Sequence, residues 1–180
     1  INVIAHSMGN RALLQAVERI GERLEALADH RATADSSVAT PKMIDQLIMA
    51  APDVDVSAFK SRYALQLASV VEHSTVYFSG SDRALWLSEV LHGSSRVGLA
   101  AGVEAPSGVD VIDIGTQSIF SVGHSYYGSD PAVIADLASV LIEHRSVDTR
   151  PWLRSHSNQT LGYWKLDRIL AAQAAAELVR

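Results

Sequence analysis

The chain has 180 residues, 48% of them hydrophobic and 19% charged, which suits one globular domain and excludes a disordered segment. A formal net charge of −5 argues against a general nucleic-acid binder, and no apolar run approaches the length of a membrane span. There is no cysteine, so disulfides, thiol nucleophiles and cysteine-based zinc sites are excluded.

The chain opens on Ile1, and residues 2–5, Asn-Val-Ile-Ala, read at once as a buried strand. A domain rarely begins inside its own core. The expectation is therefore the C-terminal half of a longer fold, with its first strands and any targeting segment upstream. After Ser7, the apolar positions Leu13, Ala16, Val17, Ile20, Leu24 and Leu27 fall at helical spacing. Residues 29–41 are polar and read as a surface loop. Residues 46–50 give a second apolar strand. Residues 57–72 carry a helical pattern with Ser57 as its N-cap. Residues 75–78 give a third strand and 83–92 a shorter helix. The first three strands read as buried on both faces, as a parallel sheet requires. Residues 92–108 are rich in Gly and Ser and suited to rim a site.

Residues 109–114 alternate, as an outer strand with one wetter face would. Residues 130–145 form a helix capped by Asp130 with Pro131 in its first turn. From Ser146 the chain is polar, then aromatic at Trp152, Tyr163 and Trp164, and a last alanine-rich helix covers about 165–179. The β-α alternation implies an α/β fold, a mostly parallel sheet with helices on both faces. One domain spans 1–180, with 146–180 as a C-terminal extension.

The stretch with most chemistry is Val3-Ile4-Ala5-His6-Ser7-Met8-Gly9-Asn10. A serine hydroxyl is a poor nucleophile until a base takes its proton. A sharp strand-to-helix turn lifts the serine clear of the backbone and aims helix N-terminal amides at the reacting oxygen. Such a turn crowds the positions two before and two after the serine, here Ala5 and Gly9. Ser7 therefore reads as a nucleophile on an elbow, against the plainer alternative of an N-cap serine. The backbone N–H of Met8 is the expected oxyanion-hole donor.

With these motifs the chain resembles the alpha/beta-hydrolase superfamily. It is most similar to the bacterial alpha/beta hydrolases of unknown function called domain of unknown function 900. The likeness rests on "INVIAHSMGNRALL", "QLIMAAPDVD", "VYFSGSDRALWLS", "GVDVIDIG", "GHSYY" and "YWKL". It implies the alpha/beta-hydrolase fold and a Ser-Asp-His order, with Asp82 of "SGSDRAL" as the acid and His124 of "VGHSYY" as the histidine. Asp53 of "APDVD" stands as the alternative acid, and Asp82 also has the plainer reading of a helix cap. The implied activity is hydrolysis of a carboxylic ester through an acyl-enzyme, with a small-molecule acyl or ester substrate and no cofactor. Two other functions compete: a non-catalytic binding or assembly domain, and a metal-dependent hydrolase using Asp53, Asp55, Asp82 and His124. The sequence has no H-x-H or H-E-x-x-H spacing to favour the metal reading.

Overall fold

The computed structural model describes residues 1–31, 42–99, 108–115, 126–158 and 161–178. Four strands, β1 (Asn2–His6), β2 (Ile44–Ala50), β3 (Val71–Phe78) and β4 (Val109–Asp113), pair in parallel in chain order. The connections are helical. Helix α1 (Gly9–Arg31) follows β1. A short α2 (Val56–Ala58), a π-helical turn (Phe59–Tyr63) and α3 (Ala64–Val70) join β2 to β3, and α4 (Arg83–His92) follows β3. After β4 come α5 (Tyr126–Ser129), α6 (Pro131–Leu141), a 3₁₀ turn (Val147–Thr149), the strands β5 (Leu153–Asn158) and β6 (Leu161–Leu166), and α7 (Arg168–Leu178). The six strands form one sheet in the order β1-β2-β3-β4-β6-β5, and only the β5–β6 pair is antiparallel.

The two-residue period of the central strands splits their side chains between two cores. Leu47, Met49, Val76, Phe78, Val109 and Val111 pack with Leu14 and Val17 of α1 and Leu67 and Val70 of α3. Ile48, Tyr77 and Ile112 pack in the other core, with Leu85 of α4, Val133 and Leu137 of α6, and Ala171 of α7. Each such aliphatic side chain contributes about 1.5–3 kcal/mol by leaving water. The helices thus cover both faces, and the C-terminal ends of β1 to β3 open towards the loops that begin at Ser7, Ala51 and Ser79.

Several local expectations change. Strand β1 is not buried on both faces: Asn2 and Ile4 are exposed, because β1 ends the sheet and no described strand lies beyond it. The fourth strand is interior, between β3 and β6. Its wetter positions are Asp110, 3.8 Å from Arg150, and Asp113, which accepts from the Gly115 amide. The helix expected over 57–72 starts at Val56, and its cap is Asp55, whose carboxylate accepts from the Ala58 amide; Ser57 donates to Asp55 instead. That helix ends at Val70, and β3 begins at once. The C-terminal stretch supplies two strands as well as a helix, and β6 extends the sheet by pairing parallel to β4.

Candidate active site

Strand β1 delivers Ser7 to the C-terminal edge of the sheet. Its amide donates to the Ala50 carbonyl at 3.0 Å, continuing the β1–β2 ladder by one rung. The backbone then turns sharply: Ser7 has φ +52°, in the left-handed region, and α1 begins at Gly9. For a non-glycine residue that conformation costs about 1–3 kcal/mol, and it persists only where the surroundings impose it. Here they do. The Ser7 carbonyl accepts from the Asn10 amide (3.1 Å), the Asn10 side-chain Nδ2 (3.1 Å) and the Asp53 amide (3.2 Å). Met8 is exposed on the turn, and its carbonyl accepts from the Arg11 amide at 3.0 Å in the first turn of α1. Among the described residues, a Cβ on Gly9 would meet nothing within 4 Å.

The end of β2 mirrors the end of β1. Ala51 is also left-handed, with φ +43°. Two residues on, Asp53 is buried and its carboxylate is fully engaged. Oδ2 accepts from Arg11 Nη2 at 2.8 Å; Oδ1 accepts from the Ser88 hydroxyl at 2.8 Å and lies 3.4 Å from Arg96 Nε. Arg11 Nε grips the Asp53 carbonyl as well, at 2.6 Å. Residues 95–98 run antiparallel beside 52–56 through Val56 N–H to Ser95, Val97 N–H to Val54 and Gly98 N–H to Pro52. Gly98 is obligatory there: a Cβ would sit 2.6 Å from the Ala51 carbonyl carbon and 2.7 Å from Pro52 N.

Asp82 is fully buried and caps α4, with Oδ1 accepting from the Ala84 and Leu85 amides at 3.0 and 3.1 Å. The cap reading is therefore correct, but it does not compete with a catalytic one. An ionised carboxylate offers about four lone-pair sites, and both cap bonds land on one oxygen. The Asp82 loop is tied to β4 by Ser79, whose hydroxyl donates to the Gly115 carbonyl at 2.8 Å.

His124 lies outside the described residues. Its near neighbours do not. Tyr126 is buried and its hydroxyl donates to the Tyr77 carbonyl at 3.2 Å. Burial raises its phenol pKa, and the nearby Asp82 charge raises it further. The Tyr127 ring stacks on His6, next to Ser7, with centroids 4.4 Å apart. Tyr126 and Tyr127 thus meet the end of β3 and the elbow.

Asp53, Asp55 and Asp82 serve separate local roles, and among the described residues no group of three His, Asp or Glu side chains is placed to hold a metal ion. Among the same residues, no helix is long and apolar enough to cross a membrane. Sequence reasoning missed Asn10, Arg11, Tyr126 and Tyr127. A cue existed for Asn10, an indifferent helix former placed inside a first helical turn.

The sequence profile of a family described as alpha/beta hydrolase of unknown function (DUF900) matches residues 1–145. The chain belongs to this family. No curated protein and no solved structure matches it. The DUF900 span holds β1 to β4 and α1 to α6; the hairpin and α7 lie beyond it, joined to it through the β4–β6 pairing.

Proposed function

We propose that this member of the DUF900 family is a serine hydrolase acting on a small-molecule carboxylic ester, without a cofactor. The observation that carries the reading is the left-handed Ser7 at the junction of a parallel strand and a helix. That strain has no use in an ordinary N-cap, whose backbone is extended.

In this reading the Ser7 hydroxyl attacks the acyl carbon while His124 takes its proton. The negative charge that develops on the acyl oxygen is met by the Met8 N–H, at the positive end of α1. His124 then protonates the departing alcohol, and a water activated by the same imidazole releases the acid. Asp82 holds the imidazole and stabilises its cation. Its place after β3, the second strand beyond the nucleophile, supports that choice over Asp53. Asp53, already held by Arg11, Ser88 and Arg96, acts as a clamp on the elbow.

The test is hydrolysis of p-nitrophenyl acetate and butyrate with parallel fluorophosphonate labelling. Ser7→Ala should abolish labelling, and Ser7→Ala, His124→Ala and Asp82→Asn should each lower kcat by about 10⁴-fold. Asp53→Asn should lose no more than about tenfold in kcat, far less than a triad member. If Asp82→Asn is nearly silent while Asp53→Asn is not, the acid assignment is wrong. A folded protein that is neither labelled nor hydrolytic sinks the whole reading.

A further inference from the structure

Two left-handed residues, Ser7 and Ala51, stand at the ends of adjacent strands. One side chain reaches both turns. Asn10 is completely buried, and its Nδ2 lies 3.1 Å from the Ser7 carbonyl and 3.4 Å from the Ala50 carbonyl, the peptide that enters Ala51. The same Ala50 oxygen accepts from the Ser7 amide. A primary amide suits this place because it carries two protons on one nitrogen, one for each carbonyl. A carboxylate of the same shape would set oxygen against oxygen. The fit is kept although the other end of the amide, Asn10 Oδ1, is buried with no hydrogen-bond partner among the described residues. Leaving a buried acceptor unpaired is unfavourable. The donor end therefore has a task that a plain apolar residue would not perform.

We propose that Asn10 is a positioning residue for the nucleophile: its amide straps the two strained turns together and fixes the direction of the Ser7 hydroxyl relative to the Met8 N–H. The proposal rests on Ser7 being the nucleophile. Asn10 sits behind the turn, bonded to backbone, and so acts through Ser7 rather than on the substrate. Removing the strap frees the turn to relax towards common backbone conformations. Misplacing reacting atoms by about 1 Å is enough to cost about 10²-fold in rate. Substrate binding, made by other groups, should hardly change.

The experiment compares wild type, Asn10→Ala and Asn10→Ser in p-nitrophenyl acetate turnover, fluorophosphonate labelling rate and thermal unfolding. Asn10→Ala should lower kcat and the labelling rate together by about 10–10²-fold, with KM within about twofold of wild type. Asn10→Ser, whose one hydroxyl proton serves one carbonyl, should fall between, and it stands in for the alanine variant if that fails to fold. A kcat within twofold of wild type in the folded variants overturns the proposal. So does a loss that appears equally in kcat, KM and cooperative unfolding, because it describes general destabilisation. If wild type itself is neither labelled nor active, the nucleophile reading has failed, and the strap falls with it.

Discussion

Two buried carboxylates, Asp53 and Asp136, each gather a cluster of donors, and the two clusters differ in what they hold together. Asp53 ties backbone: its own amide bonds Ser7, and its side chain draws in Arg11, Ser88 and the 93–99 segment around the candidate site. The Arg11 side chain stays 38% exposed, so that cluster still meets water. Asp136 is sealed. It accepts from Trp152 Nε1 at 2.5 Å, the Tyr77 hydroxyl at 2.6 Å and Arg150 Nη1 at 2.9 Å, and Arg150 is itself almost wholly buried. Asp136 thereby nails the C-terminal hairpin to α6 and β3. Burial and the neighbouring Asp136 charge push the Tyr77 phenol well above its ordinary value. The contrast separates an acid that shapes a site from one that holds a fold.

The sharpest way to break the contrast is at Asp136. Replacing it by alanine strands a buried guanidinium, an indole N–H and a phenol hydroxyl. Removing one partner of a buried ion pair typically costs about 3–5 kcal/mol. Asp136→Ala should therefore show that loss in urea unfolding, with the far-UV signal of the tail affected first. A loss below about 1 kcal/mol would mean the three donors find other partners.

This cluster was illegible in the sequence, whereas the elbow was not. The elbow is local: strand, small residue, serine and helix follow within eight residues, and each leaves its own signature. The Asp82 cap is equally local. Asp136 meets Tyr77 across 59 positions, and no periodicity announces such a pair. The Asn10 strap hides for the same reason, since Ala50 is 40 positions away. Strand β5, Leu-Arg-Ser-His-Ser-Asn, is an edge strand of mostly polar residues and lacks the apolar run that revealed β2 and β3. Strand β1 read as buried on both faces from its apolar residues, whereas Asn2 and Ile4 are exposed at the end of the described sheet.

A smaller effect is expected at Asp53. Asp53→Asn keeps the shape but leaves Arg11 and Arg96 without their anion. Hydrogen bonds to charged groups contribute about 1.5–3 kcal/mol, and solvent around Arg11 reduces that figure. The variant should lose about 1–2 kcal/mol of stability on this reasoning and, through the Ser7 carbonyl, up to about tenfold in kcat. The Asp136 variant, once compensated by lower temperature, should keep its kcat. Equal kcat losses in both variants would erase the distinction drawn between the two clusters.

The mildest test uses pH at a third carboxylate. Asp55, partly exposed at the cap of α2, is held at about 2 by the Ser57 hydroxyl, the Ala58 amide and the Ser94 hydroxyl. Its ordinary value is 3.8, so folding favours the charged form. The sign follows from linkage: a depressed carboxyl stabilises the fold above its unfolded value and loses that contribution as pH falls through the folded one. Thermal stability of the wild type should drop more steeply than that of Asp55→Asn between pH 3.8 and about 2. The two curves should run parallel above that window. Because the group is solvated, the difference should be small, and it should shrink further in high salt. Curves parallel through the window as well would show that Asp55 caps α2 by shape alone, with its charge contributing nothing to the loop that packs against Asp53.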